Sequence, residues 1–345
     1  MSDFFALDAD EQAARLTVLA EQALAAWGVA GCQPRLIKYR ENAVFEVAAP
    51  GGGRAALRVH RQGYHSDESL QSELTWMSML SDSGIAAPKP ILTTDGNAVF
   101  AATSESVPGT WNVDMLSWLS GRELGEIGEP LDIAPEDLAK VFGEIGRTAA
   151  RLHNATVAWP AQNRMGRHAW DEDGLLGDDP LWGRFWELAA LSEEQAELMQ
   201  KIRAVAAKDL RVYGHSSQTY GLIHADLVPE NVMLAGDEVQ LIDFDDAGFG
   251  WHMFELATAL FWLQEEPDYA TIESALFKGY TEERPLSQVD LDALPLFMVL
   301  RGLTYLGWVH TRQNTETARE LTPLFVEIVC EITSNYLAKM DKTSV

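Results

Sequence analysis

Gly221-Leu222-Ile223-His224-Ala225-Asp226-Leu227-Val228-Pro229-Glu230-Asn231 runs straight into Val232-Met233-Leu234-Ala235-Gly236-Asp237-Glu238-Val239-Gln240-Leu241-Ile242-Asp243-Phe244-Asp245-Asp246. Two apolar runs, Val232–Leu234 and Val239–Ile242, flank a turn at Gly236-Asp237, which is a hairpin signal. Asn231 and Asp243 are equidistant from Asp237, so the spacing predicts that they face each other at the open end of the hairpin. Cross-strand Cβ atoms lie about 5 Å apart. An amide oxygen and a carboxylate at that separation suit one hard cation. Magnesium prefers oxygen ligands and completes its shell with waters and substrate phosphates. Asp226 precedes Asn231 on a loop stiffened by Pro229. A carboxylate placed beside the metal, without ligating it, can take the proton of an attacking hydroxyl. His224 is expected to pack and hold the loop rather than act as the base.

Outward from this segment the period of the apolar residues divides the chain. Ala13–Trp27 reads as an amphipathic helix, and Leu36–Tyr39, Val44–Val47 and Ala55–Val59 as strands. Gly51-Gly52-Gly53 reads as a hairpin tip. Asp67 is expected to cap the next helix, which carries Leu70, Leu74, Met77 and Leu80 at helical spacing. Shorter strands follow near Ala98–Phe100 and Asn112–Trp118. Past Gly121 the pattern is mostly helical: Leu138–His153, Glu193–Lys208, Met253–Gln264, Tyr269–Tyr280, Val289–His310 and Ala318–Leu337. A β-rich part of residues 1–120 thus precedes a larger, mostly helical part of residues 121–345.

These residues resemble the aminoglycoside phosphotransferase-like family, which shares the protein-kinase-like fold and includes homoserine-, choline- and bacterial stress-response-type kinases. Its His-x-Asp-x-x-x-x-Asn loop and downstream Asp are matched by His224, Asp226, Asn231 and Asp243-Phe244. The resemblance spans about Arg35 to Gln313. It implies an α+β, bilobal fold with a nucleotide-binding N-lobe and a C-lobe carrying the catalytic loop and acceptor site, with ATP in the cleft between them. It makes Asp226 the catalytic base and Asn231 and Asp243 the magnesium ligands. It gives Arg58 the phosphate-holding position on the third strand, with Glu73 as its helix partner. Arginine there departs from the usual lysine but can grip phosphate bidentately. Leu116–Gly121 resembles the interlobe hinge, which puts adenine on the backbone near Ser117 and Leu119. Arg40-Glu41-Asn42-Ala43 stands where the nucleotide flap would be, without a glycine-rich loop. Glu255-Leu256-Ala257 stands where the family has Asp-Leu-Ala, which puts the usual brace of the catalytic loop in question.

Composition narrows the partners. Lys and Arg total 26 against 52 Asp and Glu, a net charge of −26. Nucleic acid and anionic membranes are disfavoured, because both are bound through clustered cations. A cationic small molecule is favoured. Trp170 and Asp171, in an acidic tryptophan-rich connection, and Asp245 and Asp246, beside the metal residues, are candidate contacts for it. Cys32 and Cys330 follow no metal spacing and suit a reducing cytosol. Met1–Glu11 is acidic, which argues against a signal peptide and for a cytoplasmic protein. Leu291–Val309 is apolar but contains Asp292, Pro295 and Arg301, so it reads as a buried helix rather than a membrane span. The expected activity is ATP- and magnesium-dependent phosphorylation of a small amino alcohol, homoserine-like amino acid, sugar or aminoglycoside. A protein Ser/Thr kinase and a non-catalytic nucleotide-binding regulator are the alternatives.

Overall fold

The computed structural model describes residues 4–40 and 42–343, with side chains through 340. Met1–Asp3 and Glu41, the latter in the expected flap turn, lie outside the described residues. The chain divides into two compact units: Met1–Gly121 with Arg164–Gly166 and Gln240–Ile242, and Arg122–Asn163 with Arg167–Val239 and Asp243–Val345.

The first unit holds α1 (Ala9–Ala23), β1 (Arg35–Tyr39), β2 (Ala43–Ala48), β3 (Arg54–Val59), α2 (Asp67–Asp82), β4 (Val99–Ser104) and β5 (Val107–Ser117). Its sheet is antiparallel throughout, in the order β1-β2-β3-β5-β4. Side chains alternate across a strand. Leu57 and Val59 of β3 and Val113 and Met115 of β5 therefore join the core beneath α1, with Leu16, Leu19 and Trp27. Arg58 and Asp114 sit directly opposite each other in the β3–β5 register and project from the other face. Gly52 and Gly53, with φ of 89° and 82°, form the β2–β3 tip, a conformation open to glycine. The cap of α2 is Ser66, whose Oγ accepts the Ser69 N–H at 3.1 Å. Asp67, expected in that role, is the first helical residue and accepts from the Asn112 side chain at 2.7 Å.

The second unit holds β6 (Arg122–Glu123), α3 (Pro135–Ala158), β7 (Ala169–Trp170), α4 (Glu172–Leu176), α5 (Glu193–Tyr213), β8 (Tyr220–Ile223), β9 (Val232–Ala235), the first half of β10 (Glu238–Leu241), β11 (Gly248–Trp251), α6 (His252–Phe261), α7 (Tyr269–Glu283), α8 (Gln288–Asp292), α9 (Leu294–Thr311) and α10 (Glu316–Thr343). The expected helix over 289–310 is two helices, α8 and α9, which meet at Ala293. Pro295 explains the break. It has no N–H to continue the α8 ladder and its ring would crowd the carbonyl of Leu291. Helices α3 and α7 pack almost backbone to backbone, because a Cβ at Gly279 would stand 1.9 Å from the Gly143 carbonyl oxygen. Among the described residues no helix is long and apolar enough to cross a membrane.

Two small sheets frame the motif-bearing segment. β8 and β11 pair antiparallel, with Ile223 opposite Gly248 and Leu222 opposite Phe249. Residues 224–247 therefore leave and return at adjacent points of one ladder. Within them β9 and β10 form the expected hairpin, beside β6.

Candidate active site

The loop between β8 and β9 is held from several sides. Glu255, in the first turn of α6, is fully buried. Its Oε1 accepts the His224 N–H at 2.9 Å and its Oε2 the Ala225 N–H at 2.7 Å. Burial pushes the Glu255 pKa up, opposed by His224 and by these two amide donors. The brace left in question by the Asp-to-Glu departure is thus present, and the longer side chain spans both amides. His224 is itself buried. Its Nδ1 accepts the Asp226 N–H at 3.3 Å, and its ring packs on Phe244 at 4.5 Å.

Both oxygens of Asp226 are engaged. Oδ2 accepts from Asn231 Nδ2 at 2.7 Å, and Oδ1 from Arg301 Nη2 at 2.6 Å. The side chain keeps 20% exposure, so the carboxylate is fixed yet accessible. Each carboxylate oxygen has a second lone-pair direction to offer a hydroxyl.

Asn231 and Asp243 depart from the face-to-face geometry that equal spacing predicts. The hairpin loop is the residue pair Gly236-Asp237, so its axis falls between them rather than on Asp237. Asn231 abuts β9, whereas Asp243 lies two residues beyond β10. Asp243 has φ of 63°, one of two described non-glycine residues with positive φ, and breaks the strand's alternation there. It is exposed while Phe244 is buried. The donor chemistry suits magnesium. The amide nitrogen of Asn231 is spent on the side chain and backbone carbonyl of Asp226, at 2.7 and 3.0 Å, which turns its oxygen to the opposite edge. Among the described residues no group of three or more His, Cys, Asp or Glu could hold a metal. An ion here would accordingly take one amide oxygen, one carboxylate and non-protein oxygens.

In the first unit Arg58 is almost fully buried between two carboxylates. Nη1 meets Glu73 Oε1 at 2.8 Å, while Nε and Nη2 grip Asp114 at 2.9 and 2.7 Å. His60 Nε2 lies 2.7 Å from the same Asp114. The Asp114 carboxyl is held down to about 2: burial alone would raise it, and Arg58 and His60 reverse that. Sequence reading missed Asp114. An acidic residue between the apolar Val113 and Met115, inside the predicted strand, was the available signal. Asp114 also gives a physical reason for arginine at 58, since lysine has no fork to hold two carboxylates in this geometry. Arg58→Lys is expected to lose about 3 kcal/mol of stability, the scale of a broken buried ion pair. Adding Asp114→Asn should recover much of it. Urea melts of the four proteins check this, and strictly additive losses would refute the coupling.

Ser117 N–H donates to the Lys89 carbonyl at 2.8 Å and Ser117 Oγ accepts the Lys89 N–H at 2.8 Å, so its amide is already used. Leu119 is half-buried past the end of β5. Trp170 is fully buried, stacks on Phe254, and donates its indole N–H to the Asp246 carbonyl at 2.9 Å. Asp171 caps α4, accepting the Gly174 N–H at 2.9 Å. These two are thus engaged in supporting the fold. Asp245 is buried and Asp246 half-buried, with Asp246 Oδ1 accepting from Trp182 Nε1 at 3.3 Å.

Comparison with known proteins gives consistent matches. The sequence profile of the phosphotransferase enzyme family matches residues 34–286. Amicoumacin kinase of Bacillus subtilis is 26% identical over 313 residues, 88% of this chain and 87% of that protein. A homoserine kinase of Bradyrhizobium sp. is 31% identical over 240 residues, 66% of this chain and 64% of that protein. The solved microcompartment-associated aminopropanol kinase is similar at a TM-score of 0.80 and 29% identity, covering 93% of this chain and 98% of that one.

Proposed function

The chain belongs to the phosphotransferase enzyme family and is a kinase with an alcohol group as acceptor, and from that premise we propose that it uses ATP to phosphorylate a small molecule bearing both a hydroxyl and an amine. The observation that carries the catalytic part is the Asp226 carboxylate, fixed through both oxygens yet one-fifth exposed. Asp226 orients the acceptor hydroxyl and takes its proton. Asn231 and Asp243 hold the metal, and Arg58, set by Glu73 and Asp114, contributes to holding the nucleotide phosphates. Bound magnesium would neutralise phosphate charge during transfer. Most of the rate then comes from positioning and charge stabilisation.

The amine is argued from charge and kinship. The chain carries −26, and Asp245 and Asp246 follow directly on Asp243. Homoserine and aminopropanol, named for two of the similar proteins, each pair an amine with a hydroxyl. A coupled ADP-release screen with Mg-ATP against aminopropanol, ethanolamine, homoserine, neutral sugars and aminoglycosides tests the reading. Turnover confined to amine-bearing alcohols is expected. Turnover only with neutral sugars would remove the amine from the proposal. Labelled phosphate passing only to protein in a lysate would favour a protein kinase. For the metal residues, Asp243→Ala is expected to weaken Mg-ATP binding at least tenfold, and unchanged affinity in calorimetry would count against that role.

A further inference from the structure

Arg301 lies in α9 among Leu296–Val309, where it is the one charged residue, and it has no solvent exposure. A buried ion pair is a weak device for stability, because removing both charges from water offsets most of their attraction. Arg301 is not even fully satisfied, since its Nε meets no hydrogen-bond partner. Its other contacts converge on the base. Nη1 donates to the Ala225 carbonyl at 3.1 Å, and Nη2 donates to Asp226 Oδ1 at 2.6 Å and to the Tyr305 hydroxyl at 2.9 Å. The Tyr305 and Trp182 rings stack on the guanidinium at 4.4 and 5.0 Å, which fixes its plane.

Ala225 is the residue this arrangement serves. Its φ is 65°, a left-handed conformation that alanine adopts only at an energetic penalty. Such strain persists where the surroundings over-determine it, and it clusters at functional sites. Here the N–H of Ala225 is taken by Glu255 and its C=O by Arg301. The next residue is Asp226.

We propose that Arg301 is a positioning residue for the general base: with Glu255 it clamps Ala225 in its left-handed conformation and sets the Asp226 carboxylate from behind. The proposal rests on the reading of Asp226 as the base. It leaves nucleotide binding to other residues, so its loss falls on turnover.

The test is a double-mutant cycle of Arg301→Met and Asp226→Ala in the full chain. The readouts are aminopropanol phosphorylation, ATP hydrolysis without acceptor, KM for ATP, and thermal melting. Arg301→Met is expected to fold and to lose on the order of 10²-fold in kcat, the effect of a misplaced catalytic group. KM for ATP should stay within threefold. On the Asp226→Ala background the same change should cost less than threefold, because the residue it positions is gone. Ethylguanidinium should restore part of the rate to Arg301→Ala and none to the Asp226→Ala double variant. Arg301→Met with parental kcat, or a full 10²-fold loss on the Asp226→Ala background, overturns the positioning role while the base reading stands. Parental turnover in Asp226→Ala overturns the base reading itself. If Arg301→Met does not fold, Arg301→Lys decides. It keeps the charge but not the fork, and a folded Lys variant with parental kcat overturns the proposal.

Discussion

Asp226→Ala is expected to lower kcat by about 10²–10⁴-fold, the usual contribution of a positioned base. The affinity for Mg-ATP should stay within about twofold, because the proposed metal donors, Asn231 and Asp243, are unchanged. The geometry explains why a carboxylate is required at this position. Arg301 and Asn231 both present N–H donors to it, so both of its side-chain oxygens must accept. An asparagine at 226 would offer one oxygen and set an amide nitrogen against the other donor. Asp226→Asn should therefore be no more active than Asp226→Ala, and less stable than its small change in shape suggests. Pre-steady-state phosphoryl transfer, nucleotide titration and thermal melting separate these effects. Transfer within tenfold of the parent in either variant would remove Asp226 from the base role.

Glu255→Ala ranks second. It removes the acceptor of two buried amides, those of His224 and Ala225. An unsatisfied buried donor costs about 1–3 kcal/mol, and the strain at Ala225, about 1–3 kcal/mol for such a residue, loses half of its support. A loss of several kcal/mol is expected, on the scale of whole-domain stability, together with a fall in kcat of about 10²-fold as the base drifts. Glu255→Asp should be intermediate. It keeps the charge, but its reach is one methylene shorter, so it can meet one amide well and the other poorly. Urea melts and kcat measured on the same preparations check both variants. A Glu255→Ala protein with parental stability and turnover would show that the catalytic loop holds itself.

The motif-bearing segment was legible because its information is local. A turn pair between two apolar runs specifies a hairpin from neighbouring residues alone. The third strand and the following helix were legible for the same reason, through the glycine-rich turn before the strand and the helical spacing of Leu70, Leu74, Met77 and Leu80. The errors have local causes too. Counting from Asn231 to Asp243 assumed a symmetric hairpin, but a two-residue loop puts the axis between residues, and Asp243 then takes a left-handed turn. The single helix expected at the apolar stretch before His310 used Pro295 as an argument against a membrane span and not as a helix boundary. Trp170 is a candidate amine contact in sequence because its neighbours are acidic. It is buried because Phe254 and Trp182 pack on it.

The sequence by itself determined the kinase-like order of elements, the candidate oxygen donors at 226, 231 and 243, and the acidic bias from which an amine-bearing acceptor is proposed. Tertiary structure alone decided what holds those groups in place. Asp114 meets Arg58 across 56 residues of chain, Glu255 meets His224 across 31, and Arg301 meets Asp226 across 75. No periodicity or spacing links such residues, because which distant segments touch is set by the packing of helices and sheets into a common core. An arginine in an apolar helix is only an oddity in sequence. Its function becomes visible once folding places the catalytic loop against it.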